Sequence, residues 1–189
     1  MFTEVTESTT NDAEQRPLAV TSRPTEKLTR PDSVRVATVA DEAALFDLLW
    51  NDLYIDNVMT THLVPSERKV LAHVQGCCRG TNGIAGIIDG PRGPVASVGL
   101  EWAHAWYSEC GFVSECWLFC KPEYRKGTHH YRDLRRFALW HRQDLSDKVG
   151  SPIPLEISVY SFNRLPAKTR LWGQGARHAG SIFWIEGAA

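Results

Sequence analysis

The amino-acid sequence predicts a single α/β domain with the element order βααβββαβαβ. Three observations carry that reading. Short runs of β-branched and aromatic residues have the length of strands, three longer stretches repeat apolar residues at helical spacing, and Gly- or Pro-containing segments separate them. A chain of 189 residues, 43% hydrophobic and 23% charged, is long enough to bury a core and short enough to be one domain.

Residues 1–33 are rich in Thr, Ser, Glu, Asp and Pro and poor in large apolar side chains. Such a segment cannot offset the entropy of ordering, so it reads as a flexible N-terminal arm, and the domain as 34–189. Val34, Val36 and Val39 predict a first strand. Asp41 then caps a helix whose Leu45, Leu48, Leu49 and Leu53 fall on one face. Pro65 and Ser66 start a second helix, with Glu67 in its first turn, Val70, Val74, Cys77 and Cys78 inward, and Gly80 at its end.

Ile84–Ile88, the turn Gly90-Pro91-Arg92-Gly93-Pro94 and a long run from Val95 to about Trp106 predict a hairpin, with Phe112–Cys120 pairing beside it. Lys121–Gly127 is a loop. From Thr128 onward, Leu134, Phe137, Ala138, His141 and Leu145 form the apolar stripe of a long helix. Leu155–Tyr160 is then a strand, a short helix carries Ala167 and Leu171, and Ile182–Ile185 closes the chain.

Charge and cysteine usage exclude several classes. The formal net charge of -1 gives no global attraction to nucleic acid or an acidic membrane, and no run of about 18 apolar residues spans a bilayer. The N-terminus has neither a basic start nor an apolar segment, so a cytoplasmic protein is expected. Five cysteines without a C-x-x-C pair suggest neither a disulfide framework nor a zinc ribbon, but buried reduced thiols. His129 and His130 are neighbours that do not share a helical face, and no metal is expected. Most of the seven tryptophans, Trp102 and Trp106 included, are expected in the core or along an aromatic cleft.

Chemistry concentrates between Cys116 and Leu134, where a buried strand, a basic turn with Gly127 and an amphipathic helix follow one another. Seven Lys or Arg stand against Glu123 and Asp133 between Lys121 and Gln143. Such a turn aims backbone N–H groups and the positive helix end at one spot, which suits a phosphate or pyrophosphate. Glu115 sits on the strand ahead of it, alternating with Val113, Trp117 and Phe119. A carboxylate on an apolar strand face has the environment of a general base. Glu101, beside Trp102 and Trp106, is a second candidate.

At Pro122-x-Tyr124-Arg125 the sequence resembles the GNAT superfamily of acyl-CoA-dependent N-acyltransferases, and Asn163, Ala167 and Trp172 are similar to the family's pattern after its fifth strand. The resemblance covers roughly residues 34–186. It implies a GNAT-like mixed, mostly antiparallel central sheet flanked by helices. It also implies acetyl-CoA or another acyl-CoA as co-substrate. By that resemblance Arg125, Lys126, Gly127, Thr128 and His129 hold the pyrophosphate, and Leu118, Phe119 and Cys120 pair with the pantetheine arm. Asn163 belongs to the same cofactor-binding set.

Glu115 resembles the catalytic glutamate of histone-type members. The family's acidic tyrosine is replaced by Trp172, so Tyr160 or Ser161 is the candidate proton donor, with Tyr160 preferred. Two positions that are glycine in the family motif hold Thr128 and His130, and the Thr128 hydroxyl is expected to donate to phosphate. The Arg-x-x-Thr-His loop is similar to that of phage-encoded members. The expected partner is a small-molecule or peptide amine. A DNA base is the alternative, reached through the basic stretch from Arg132 to Arg142 together with Arg164, Lys168, Arg170 and Arg177. A GNAT-fold binding module without catalysis is the third reading. A monomer or a homodimer paired through exposed strand edges fits the sequence.

Overall fold

The computed structural model describes residues 27–53, 64–157 and 165–173. Within them lie β1 (Arg35–Val36), α1 (Glu42–Asp47), α2 (Glu67–Arg79), β2 (Gly83–Gly90), β3 (Gly93–His104), β4 (Gly111–Cys120), α3 (His130–Val149), β5 (Leu155–Glu156) and α4 (Leu165–Trp172). The strands form one five-stranded sheet in the order β1-β2-β3-β4-β5. Every pairing is antiparallel except that of β4 with β5. The expected mixed, mostly antiparallel sheet with flanking helices is therefore the architecture of this chain. Residues 1–26 of the arm expected over 1–33, Tyr160, Asn163 and the strand expected at Ile182–Ile185 lie outside the described residues.

Local signals set most boundaries. The Ser66 hydroxyl accepts the Lys69 N–H at the start of α2, and Gly80, at φ 65°, closes the helix in a left-handed conformation that a side chain would strain. The first strand is shorter than its valines suggest. Arg35 forks onto both carboxylate oxygens of Asp41 at 2.7–2.8 Å and also binds Asp89, pulling residues Val39–Asp41 into a 3-10 turn and leaving Val39 exposed. The following helix is regular only to Asp47 and continues as a π-helical turn, Leu48–Leu53. Ahead of β1, the Ser33 hydroxyl donates to Asp133 at 2.7 Å and the Leu28 N–H to Gln143 at 3.0 Å, tying this segment to α3.

Two apolar layers sandwich the sheet. On one face Val95, Ala96, Val98, Leu100, Val113, Leu118 and Cys120 pack with Leu134, Phe137 and Ala138 of α3 and Trp172 of α4. On the other, Ala85, Ile87, Trp117 and Phe119 pack with α1 and α2 through Leu45, Val74, Cys77 and Cys78. Trp106 joins neither layer: it stands 96% exposed at the β3–β4 turn, beyond the last paired residues, and Trp102 is partly exposed, so of the two expected places, core or aromatic cleft, neither residue takes the core.

The β3–β4 ladder contains one irregularity. Gly99 pairs with Trp117 but Leu100 pairs with Glu115, so Cys116 is an extra residue bulged out of the strand. Gly99 makes this possible, because a Cβ there would sit 2.4 Å from the Trp117 ring. The Trp117 indole N–H, buried in this fit, donates to the Ser97 hydroxyl at 3.1 Å.

Candidate functional site

The bulge decides where Glu115 points. A bulge shifts the two-residue alternation of a strand, so Glu115 does not share a face with Trp117 and Phe119 as expected. It lies opposite Leu100, on the face of Val113 and Leu118, toward α3 and α4. It is one of two buried polar residues among the described ones, Ser97 being the other. Glu101, opposite Ser114, faces the α2 side, where its carboxylate meets His73 Nδ1 at 2.6 Å. The two candidate bases thus stand on opposite faces of the sheet.

Beyond the bulge, one edge of β4 is committed to β3. The Lys121 N–H donates to the Val95 carbonyl, so in the antiparallel ladder Phe119 also turns its peptide groups toward β3, while Leu118 and Cys120 turn theirs away. On that outer side the described part of β5 pairs with Val113 and Ser114. The Val113 N–H is held there by the Pro154 carbonyl. Among the described residues the two strands run together for these two positions, and β4 continues alone through Cys120. The side chains of Leu118, Phe119 and Cys120 are all buried, so only their backbone can meet a ligand.

This edge leads into the basic loop. Pro122–Tyr124 form a 3-10 turn, Gly127 takes φ 73° with open space where a Cβ would be, and α3 begins at His130 with His129 as its N-cap. Lys126, Gly127, Thr128 and His129 are exposed. No His129 side-chain bond caps the helix, and its first helical hydrogen bond is donated by Asp133, so the amides of the first turn face the loop end of the helix.

Arg125 differs from its exposed neighbours. Its Nε donates to the outward-facing Cys120 carbonyl at 2.6 Å, and its guanidinium carbon lies 5.3 Å from the centre of the Phe119 ring. These contacts fasten the loop to the end of β4. The Thr128 hydroxyl donates to the Tyr124 carbonyl at 2.6 Å, so its proton closes the loop and is not offered to a phosphate, contrary to expectation. Exposed in the same loop are the side chains of Lys126 and His129.

Trp172 is buried, with the Arg135 guanidinium 5.8 Å from its ring centre, so it packs in the core. The cysteines are all free thiols. Cys77, Cys78 and Cys120 are buried as expected, whereas Cys110 and Cys116 are exposed. Burial pushes Cys77 up to about 12 and Cys120 up to about 11, far from reactive thiolates. Sequence reasoning did not single out His73, because nothing within α2 signals a partner on β3. No described helix is long and apolar enough to cross a membrane.

No family model matches the sequence, and no curated protein matches it. Solved structures do match. A possible acetyltransferase from Clostridium difficile 630 aligns with a TM-score of 0.54 at 13% identity, over 82% of this chain and 97% of the other. An aminoglycoside N-acetyltransferase in complex with CoA aligns with a TM-score of 0.53 at 9% identity, over 82% and 94%. A metagenomic aminoglycoside acetyltransferase in complex with sisomicin gives 0.52 at 8%, over 82% and 95%. At such identities the likeness is one of fold, and the fold of this chain is that of the GNAT-like acetyltransferases.

Proposed function

We propose that the protein is an acyl-CoA-dependent N-acyltransferase that moves an acetyl or similar acyl group to an amine. The observation that carries this reading is the outer edge of β4. Peptide groups of Leu118 and Cys120 turn away from β3, the described part of β5 pairs with Val113 and Ser114 at the far end, and the edge runs into the exposed Lys126–His129 loop at the start of α3. An extended arm with amide groups fits such an edge by strand-like hydrogen bonding, and a diphosphate fits the loop amides and the Lys126 ammonium. The likeness to a CoA-bound acetyltransferase supports the same donor, and the sisomicin-bound one supports a small-molecule amine as acceptor.

In the proposed reaction the amine nitrogen attacks the thioester carbonyl carbon, a C–N bond forms, and the C–S bond breaks. Backbone N–H groups of β4 stabilise the oxygen on which charge develops. The buried Glu115 takes the proton that leaves the nitrogen, and the CoA thiolate receives a proton from a donor, for which Tyr160 is the candidate. Holding amine and thioester together supplies the remainder of the rate.

A thiol-release assay with acetyl-CoA against amines, aminoglycosides, polyamines, peptides and nucleosides tests the proposal. Turnover with one amine class, lost in Glu115→Gln, is the expected result. Absence of CoA and acetyl-CoA binding by calorimetry at moderate salt would overturn it.

A further inference from the structure

We propose that His73, Glu101 and Cys116 form a binding site for a divalent transition metal, with zinc the best match. The three residues come from α2, β3 and β4, far apart in sequence, and each offers one ligand atom. Those atoms all lie within 4.8 Å of one another. Tetrahedral zinc, with bonds of roughly 2.0–2.3 Å to nitrogen, oxygen and sulfur, holds its ligands about 3.3–3.8 Å apart. Reaching that spacing takes a small opening of the 2.6 Å His73–Glu101 contact and a closing of any separation near the 4.8 Å limit, and the His73 side chain, 53% exposed, has room for such a shift.

The backbone builds this cluster through the same feature that turns Glu115 away. Glu101 is opposite Ser114 in the ladder, and the bulge presents Cys116 on the α2 face without removing Trp117 from it. Ligand chemistry selects the metal. A thiolate and an imidazole favour zinc and its neighbours over magnesium or calcium, which take all-oxygen sites. A glutamate and a thiolate together balance the charge of a dication. Three protein ligands leave a fourth tetrahedral position, and with both Cys116 and His73 exposed that position is open to water or a ligand. The site lies across the sheet from Glu115, so it does not depend on the acyl-transfer reading.

Titration of the untagged full chain with Co2+, followed by the near-ultraviolet thiolate-to-cobalt absorption band, tests the site, with Zn2+ calorimetry for stoichiometry. One equivalent should bind, Mg2+ should not compete, and Cys116→Ser should abolish the band. His73→Ala, a change on an exposed helix surface that leaves folding intact by circular dichroism, should weaken Co2+ binding by about tenfold or more. Cys110→Ser should retain the band, which separates the cluster from the other exposed thiol. A wild-type chain without the band, a band that survives Cys116→Ser, or an unchanged affinity in His73→Ala would each overturn the proposal.

Discussion

Arg125 offers the sharpest test of how the loop is built, because its side chain is engaged by the protein itself. The Nε–H to Cys120 carbonyl bond of 2.6 Å is charge-assisted, a class worth about 1.5–3 kcal/mol. The guanidinium over Phe119 adds about 0.5–1 kcal/mol. Arg125→Ala should therefore cost about 2–4 kcal/mol of stability, read as a fall of roughly 4–16 °C in Tm for a chain of this size. Arg125→Lys keeps the charge but not the planar fork, and should recover only part of the loss. Urea denaturation alongside CoA calorimetry separates anchoring from direct binding. In Arg125→Ala both stability and CoA affinity should fall, since an unfastened loop no longer presents its amides. A variant of unchanged stability whose CoA binding alone collapses would refute the anchoring argument.

Lys126→Ala should behave in the opposite way, leaving the urea midpoint within about 0.5 kcal/mol of wild type while weakening CoA binding and reducing its salt dependence, because the residue is exposed. Gly99→Ala should destabilise by about 1–3 kcal/mol in urea titrations, since a Cβ there meets the Trp117 ring at 2.4 Å and the bulge must shift. Asp41 is held down to about 2 by its bonds to Arg35, so the pair stabilises the fold above the unfolded value near 3.8 and loses that contribution as pH falls toward 2. Asp41→Asn should cost roughly 1–2 kcal/mol at neutral pH, after allowance for the exposed Arg35, and nearly nothing at pH 2. Burial lowers His141 to about 4, so between pH 6.5 and 4 the unfolded chain binds a proton that the folded chain refuses, and stability declines as pH falls. His141→Gln should flatten that decline by about 2–3 kcal/mol in denaturant midpoints measured across the window.

The sequence by itself determined what depends on neighbours along the chain. Ser66 and Gly80 mark the ends of α2, Gly90 to Gly93 the hairpin turn, and the stripe through Leu134, Phe137 and Ala138 the buried side of α3, because caps, turns and helical spacing act within a few residues. The strand, basic loop and helix around Arg125 were legible for the same reason. Only the tertiary structure decided the face on which Glu115 stands, because the bulge at Cys116 arises from the fit of Trp117 against Gly99 on another strand. It alone committed Arg125 to the Cys120 carbonyl and the Thr128 hydroxyl to Tyr124, since those bonds require the loop already folded back on β4. It alone gathered His73, Glu101 and Cys116, three residues with no common period, where a helix crosses two paired strands. Local propensities are written in the order of residues, whereas register and side-chain convergence follow from packing between segments that the order of residues keeps apart.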